Sequence, residues 1–240
     1  MVKGGPVKSG IRGLDSVLDG GFRPGSLCIV VGEPLGGKEL FALKFFCEGL
    51  ELGDGGIYVT AVNFAEEIEA EISDLGLDLS KYGGESPRYK IIDLYRPTVD
   101  FTVEDTDIVS YVPAPTDLAA LSSKIVESIS MLSHLPHVRI VIDSLSSIIT
   151  LATPKATLRF LSFLKAKVQL SDNVILALLE PKLAGEAETE AILHLANTLI
   201  LLEKDCVEIR RRGRLPVKRK IKIIDGGIKI AAGSRSKEKD

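Results

Sequence analysis

The stretch Gly32–Glu39, GEPLGGKE, decides how the rest of the chain is read. It follows the apolar run Leu27, Cys28, Ile29, Val30, Val31 and precedes an apolar helical stretch from Leu40 to Leu50. Strand, glycine-rich turn, lysine and helix is the context a phosphate-binding loop requires. Backbone N–H groups and the positive end of the helix dipole then converge on phosphate oxygens. In that reading Gly32, Glu33, Pro34, Leu35, Gly36, Gly37, Lys38, Glu39 and Leu40 form the nucleotide-binding loop, and Lys38 reaches the β and γ phosphates. The pattern GxxxxGK[ST] places a hydroxyl after the lysine to hold Mg²⁺. This chain has Glu39 there. A carboxylate at that point repels a triphosphate unless Lys38 or a cation neutralises it, or else ligates Mg²⁺ itself, since hard cations accept carboxylate oxygens. The competing reading is an ordinary strand-to-helix turn with a solvated lysine.

With 240 residues and 45% hydrophobic content, the chain can build one large α/β domain, expected over 1–232, with a disordered polar tail at 233–240. No run of about 18 apolar residues suggests a membrane span. The opening MVKGGPVKSG lacks the apolar core of a signal peptide, so a cytoplasmic protein is expected. A net charge of −3 gives no general pull toward nucleic acid. Cys28, Cys47 and Cys206 lack paired spacing and read as free thiols. His134, His137 and His194 share no metal-ligand spacing. The single Gln169 and the three asparagines Asn63, Asn173 and Asn197 suggest a thermophilic source, where thermolabile amides are scarce.

Outward from the loop, strand and helix signals alternate. Residues 8–25 read as a short helix and turn against the first strand. Strands are expected at Ile57–Ala61, Tyr89–Leu94, Val138–Ile142 and Val174–Leu179, and helices at Ala65–Leu75, Leu118–Leu135 and Lys155–Leu170. Continuous apolar strands alternating with helices indicate a mostly parallel sheet covered on both faces. Residues 95–116, with three prolines and several acids, read as a long loop. After Asn197 a period of two, with turns at Arg214–Val217 and Asp225–Gly227, predicts a small antiparallel extension.

A phosphate loop needs an aspartate at the end of another buried strand to orient Mg²⁺ or its water. Val138–Asp143, VRIVID, supplies Asp143; the alternative is that Asp143 caps the helix that follows.

With these residues in place, the opening GIRGLDSVLDGGFRPGSLCIVVG, the loop, the strand ending in Asp143 and the late segments IRRRG (209–213) and IDGG (224–227) together resemble KaiC-type, RecA-like ATPases of the archaeal single-domain and RadA-paralogue kind. The resemblance runs to about residue 230. It implies a RecA-like P-loop NTPase core, ATP or ADP with Mg²⁺ as ligand, and self-assembly into a ring, often a hexamer, with nucleotide between subunits. The family carries a general-base glutamate after the second strand, where this chain has Val62 and Asn63, neither able to serve as a base. Glu66 and Glu67 lie about a helical turn further on. The resemblance also implies a Lys-x-Arg pair reaching a neighbour's γ-phosphate, a place taken by Arg210 and Arg212. Strand alternation puts those two on one face and Arg211 on the other. Glu180 falls where relatives sense the γ-phosphate. The loop 182–188, with Lys182, Glu186 and Glu188, falls where ring-forming relatives line their channel, and its acids suit nucleic acid poorly.

The basic run 210–222 either binds DNA, docks the acidic loop 100–107, or meets a neighbour's acidic helix at Glu66–Glu71. The expected function is a nucleotide-binding ATPase homologue with weak or absent hydrolysis, acting as an oligomeric scaffold or regulator. The alternatives are an active ATPase of DNA repair or recombination, and a paralogue that binds a protein partner without nucleotide.

Overall fold

The computed structural model describes residues 4–180, 186–224 and 226–231. The loop 182–188, apart from the backbone of 186–188, and the expectations for Asp225 and for the tail 233–240 lie outside the described residues.

β1 (Ser26–Val31) is buried throughout, and its alternate side chains enter two separate cores. Cys28 and Val30 face one core, whereas Leu27, Ile29 and Val31 face the other. β6 (Val174–Leu179) divides in the same way. This two-sided burial is why these strands read as unbroken apolar runs. α2 (Lys38–Leu52) fills the first core with Phe41, Phe45, Phe46 and Leu50. α3 (Ala65–Asp74) adds Ile68 and Ile72 to it, and α1 (Leu14–Val17) adds Leu14. The second core is covered by α4 (Leu118–Met131), α5 (Leu145–Leu151) and α6 (Pro154–Ser171), through Leu121, Ile148 and Leu164 among others.

The remaining strands are β2 (Gly55–Thr60), β3 (Tyr89–Asp93), β4 (Val109–Tyr111), β5 (Val138–Asp143), β7 (Thr198–Leu202), β8 (Cys206–Arg211), β9 (Val217–Ile224) and β10 (Gly227–Ile230). They form a single ten-stranded sheet in the order β10-β9-β8-β7-β1-β6-β5-β2-β3-β4. Seven neighbouring strands from β7 to β4 are parallel, and β8, β9 and β10 are antiparallel additions. The α/β class and the antiparallel extension are therefore as expected.

Four local expectations change. β7 pairs parallel with β1, so the extension begins only at β8. Its alternating burial arises because Ile200 and Leu202 enter the first core while Leu199 and Leu201 are half-covered on the other face. A period of two reports one covered face, not strand direction. Within the expected loop 95–116 lie a 3₁₀ turn (Arg96–Thr98) and the three-residue β4, too short to show a pattern. The helix expected to reach Leu135 stops at Met131. α5 was concealed by its seven-residue length, under two full turns. The basic β9 and the acidic loop 100–107 stand at opposite edges of the sheet, so they do not dock within one chain.

Candidate nucleotide site

The loop joins the carboxyl end of β1 to the amino end of α2. Gly37 is the N-cap at φ 94° and makes no side-chain cap, leaving the first amides of α2 open toward a ligand. That left-handed conformation favours glycine, and a Cβ there would also lie 2.8 Å from Ile223 Cδ1. Ile223 of β9 thus leans on the loop, a contact with no signal in the local sequence. At the loop tip Leu35 adopts φ 56° and is 94% exposed.

Lys38 does not project into solvent. Its side chain is 1% exposed, and Nζ lies 2.5 Å from Glu39 Oε1, 3.2 Å from Glu180 Oε1 and 3.4 Å from the Glu33 carbonyl oxygen. Burial pushes the Lys38 pKa down, but the hydrogen bonds and charges of Glu39 and Glu180 outweigh it, and the net shift is upward. The ammonium is therefore charged and already paired. The solvated-lysine reading does not hold. Glu180 follows β6 and is itself placed by its backbone N–H, which donates to Ser146 Oγ at 2.7 Å.

Asp143 ends β5 and is 5% exposed. It does not cap α5; Ser144 does so, its Oγ accepting from the Ser147 N–H at 3.1 Å. The Asp143 carboxylate instead accepts the Tyr58 hydroxyl at 2.9 Å. The Tyr58 ring is in turn held edge-on against Phe46 of α2, with centroids 5.6 Å apart. Burial raises the Asp143 pKa to about 6, with the Tyr58 hydrogen bond opposing and the charge of Glu39 reinforcing the rise.

At the expected general-base position, Val62 is exposed, and the backbone of Asn63 is tied to Thr60 Oγ1 through both its N–H (3.1 Å) and its carbonyl (2.8 Å). The two glutamates nearby are engaged elsewhere. Glu67 accepts from the Phe64 N–H at 2.7 Å, and Glu66 pairs with Arg96 at 2.5 Å. Glu71, read from the sequence only as part of an acidic helix, lies within the field of Glu39. Its pKa is raised by burial and by the charges of Glu67 and Glu39. Its position three residues after the buried Ile68, at the margin of the inward stripe of α3, is the signal that marks it.

Mg²⁺ binds through one or two carboxylates together with phosphate oxygens, rather than in a cage built by protein alone. Glu39 and Asp143 fit that donor set. No group of three or more His, Cys, Asp or Glu side chains among the described residues is arranged to hold a metal unaided. All three cysteines are free, two of them buried.

Arg210 lies within β8 and Arg212 directly after it. β8 ends at Arg211, so alternation does not extend to Arg212. Arg210 Nε donates to Glu208 at 2.5 Å, whereas Arg211 and Arg212 line one common cavity. β8 runs antiparallel to β7, which places its last residues at the end of the sheet remote from the chain's own loop.

A sequence profile of the KaiC ATPase family matches residues 7–229. A UPF0273 protein of Pyrococcus furiosus is 34% identical over 76 residues, 32% of this chain and 31% of that protein. A UPF0273 protein of Aeropyrum pernix is 25% identical over 159 residues, 66% of this chain and 61% of that one. The circadian clock protein KaiC3 of Synechocystis is 25% identical over 153 residues, 64% of this chain and 28% of that protein. The matched stretches thus span between about a quarter and three fifths of these relatives' lengths. The crystal structure of a KaiC-like protein from Pyrococcus horikoshii superposes with a TM-score of 0.70 at 23% identity, covering 95% of this chain and 99% of that one, and shows the same fold. No helix among the described residues is long and apolar enough to cross a membrane. With its phosphate loop, the aspartate ending β5 and a match along nearly its whole length, the chain belongs to the KaiC family of RecA-like ATPases.

Proposed function

We propose that this protein binds ATP or ADP at the loop Gly32–Leu40 and hydrolyses it slowly or not at all, working as an oligomeric scaffold or regulator. One observation carries the reading: Lys38, the cation the loop offers to phosphate, is held by Glu39 and Glu180. For a triphosphate to enter, the ammonium exchanges carboxylates for phosphate oxygens. Bound Mg²⁺ would neutralise charge on the phosphates. Glu39 and Asp143 would hold it, and Tyr58 would orient Asp143. Nothing at Val62 or Asn63 takes a proton from water, so positioning and charge alone support any turnover. In a ring of copies, the contact in trans would be made by Arg210 and Arg212.

The test is thermal unfolding with ATP and Mg²⁺, with ATP and a chelator, and with neither, alongside steady-state hydrolysis and light scattering. A ligand that binds only the folded state raises the midpoint. The expected result is a Mg²⁺-dependent rise, abolished by Lys38→Ala, with an oligomer in solution and turnover well below ~1 per second, the lower end of typical enzymes. Turnover at or above that rate would sink the proposal, and so would a midpoint that millimolar ATP does not move. The latter outcome would favour a paralogue that binds only protein. DNA-stimulated hydrolysis with steeply salt-dependent DNA binding would instead favour the repair reading, which draws on the exposed Lys218, Lys220 and Lys222 of β9.

A further inference from the structure

Lys90 of β3 and Ser110 of β4 project from the same face of the sheet, since Ser110 stands in register with Ile92, two residues after Lys90. That face is the one α4 covers, where Ile92, Leu121 and Ile125 meet in the second core. Between these strands and α4 lies a cavity of about 300 Å³, walled by Lys90, Asp105, Ser110, Glu127 and Met131 among others. A second cavity, of about 330 Å³, shares Met131 with the first and is walled in turn by Glu85 and Asp107.

Ser110 is 4% exposed, and its hydroxyl has no hydrogen-bond partner among the described residues. A buried polar group left unpaired costs free energy, and a ligand atom in the cavity removes that cost. The charges around the two cavities do not balance either. Of four carboxylates, Asp105 alone is engaged: one oxygen pairs with Lys124 and the other accepts the Tyr111 N–H at 2.9 Å. Lys90 spends its donors on backbone, 2.7 Å from the Thr106 carbonyl oxygen and 3.2 Å from that of Asp107, and burial pulls its pKa down. The carboxylates of Glu85, Asp107 and Glu127 make no hydrogen bond or ion pair among the described residues. Four acids against two lysines leave a surplus of two negative charges, with a free carboxylate in each cavity.

Separated carboxylates with a thioether between them select one kind of cation. A metal ion is too compact to engage both cavities, and no three ligating side chains converge among the described residues. A methylene chain carrying ammonium groups spans them. Ammonium groups only donate, which suits carboxylates and the Ser110 oxygen, and the methylenes lie on the soft side chain of Met131. Each volume falls at the lower end of small-molecule sites, roughly 300–1,000 Å³. The phosphate loop is remote: three strands stand between β3 and β1, a separation of about 19 Å at ~4.8 Å per strand.

We propose that these two cavities form one site for a linear diamine or polyamine, independent of the phosphate loop. One ammonium meets Glu127 and Ser110, and another meets Glu85 and Asp107.

The experiment is isothermal titration of the full chain with spermidine and, separately, with Mg²⁺, both without nucleotide. The native chain should bind one spermidine, and Lys38→Ala should bind it equally well. Glu127→Gln and Asp107→Asn, on either side of Met131, should each weaken binding at least about tenfold, as the loss of a charged hydrogen bond does. Ser110→Ala removes no charge and should weaken it about threefold, as the loss of a neutral one does. Glu127 and Asp107 are exposed, so unchanged unfolding midpoints will show that the fold is intact. Glu85→Gln is a second variant of the Asp107 cavity. Spermidine binding that ignores the acidic variants overturns the proposal. So does unchanged affinity in Ser110→Ala, which would mean diffuse attraction to surface charge. Mg²⁺ that binds as tightly as spermidine and is lost in the same variants also overturns it, by assigning the site to a metal.

Discussion

Replacing Glu39 with threonine releases one side of the hold on Lys38. Glu39 Oε1 stands 2.5 Å from the ammonium, and the Glu39 side chain is 36% exposed. Hydrogen bonds to charged groups contribute about 1.5–3 kcal/mol. Water reaches this one, so the lower end of the range applies. A nucleotide that must displace Glu39 from Lys38 therefore forfeits ~1.4 kcal/mol, a tenfold weakening of its dissociation constant. Removing a negative charge beside the incoming phosphate acts in the same direction. Glu39→Thr should thus bind ATP at least tenfold more tightly than the native chain with a chelator present, and more tightly still with Mg²⁺, which the new hydroxyl helps to hold. Glu39→Gln, which removes the charge but adds no hydroxyl, should match the threonine variant in chelator and fall behind it in Mg²⁺. Titration calorimetry of the native chain and both variants in the two buffers measures all six affinities. If Glu39→Thr weakens Mg²⁺–ATP binding, what Glu39 contributes as a metal ligand outweighs its hold on Lys38, and the obstruction argument is wrong. If affinity is unchanged in chelator, the Lys38–Glu39 contact has no energetic weight.

Three other outcomes follow from the structure. Arg139, 1% exposed in the middle of the sheet, donates to Asp54, to the Lys8 and Phe45 carbonyls, and stacks 4.9 Å from the Phe45 ring. Arg139→Ala leaves Asp54 buried and unpaired and should cost about 3–5 kcal/mol in chemical denaturation, partly recovered by adding Asp54→Ala; a loss under ~1 kcal/mol would contradict this. Asp143 is an acid whose folded pKa is raised from 3.8 to about 6. The folded state then holds its proton longer than the unfolded state, so this residue's contribution to stability falls as pH rises from about 4 to about 6, by up to ~3 kcal/mol, and is flat beyond. Asp143→Asn should abolish that part of the pH dependence; identical profiles for the two proteins would refute it. Finally, Glu39→Thr combined with Asn63→Glu supplies both missing groups and should raise ATP turnover about a hundredfold, the lower bound for a positioned general base; no increase, despite tighter binding, would mean the backbone at Asn63 points its side chain elsewhere.

The core of the fold was legible because strands buried on two faces have no polar positions to confuse the pattern, as β1, β5 and β6 show. The phosphate loop was legible for a different reason: its glycines and lysine are fixed by local backbone geometry. What escaped depended on tertiary contacts. The pairing of Lys38 with Glu180 joins the first residue of α2 to the residue after β6, far apart in sequence, and the approach of Ile223 to Gly37 joins a late strand to an early turn. Arg139 stands in an otherwise apolar strand because Gly49 makes room for it and Asp54 pairs with it, both far from it in sequence; a Cβ at Gly49 would lie 2.3 Å from the Arg139 side chain. The four carboxylates beside Met131 come from three segments of the chain, and each alone reads as surface charge.

The sheet's two margins constrain how copies of this protein can meet. At one margin β4 offers only three residues of backbone. At the other, β10 is four residues long, and its free side is partly taken by Arg12, whose carbonyl accepts the Ile230 N–H at 2.8 Å. Short or covered edges give a foreign strand little to template on. Growth by annealing one sheet to the next is thereby disfavoured, and subunits are left to recognise each other through side chains and loops. Assembly of that kind responds to charge, to bound anions and to single substitutions, and it can be undone without unravelling any strand.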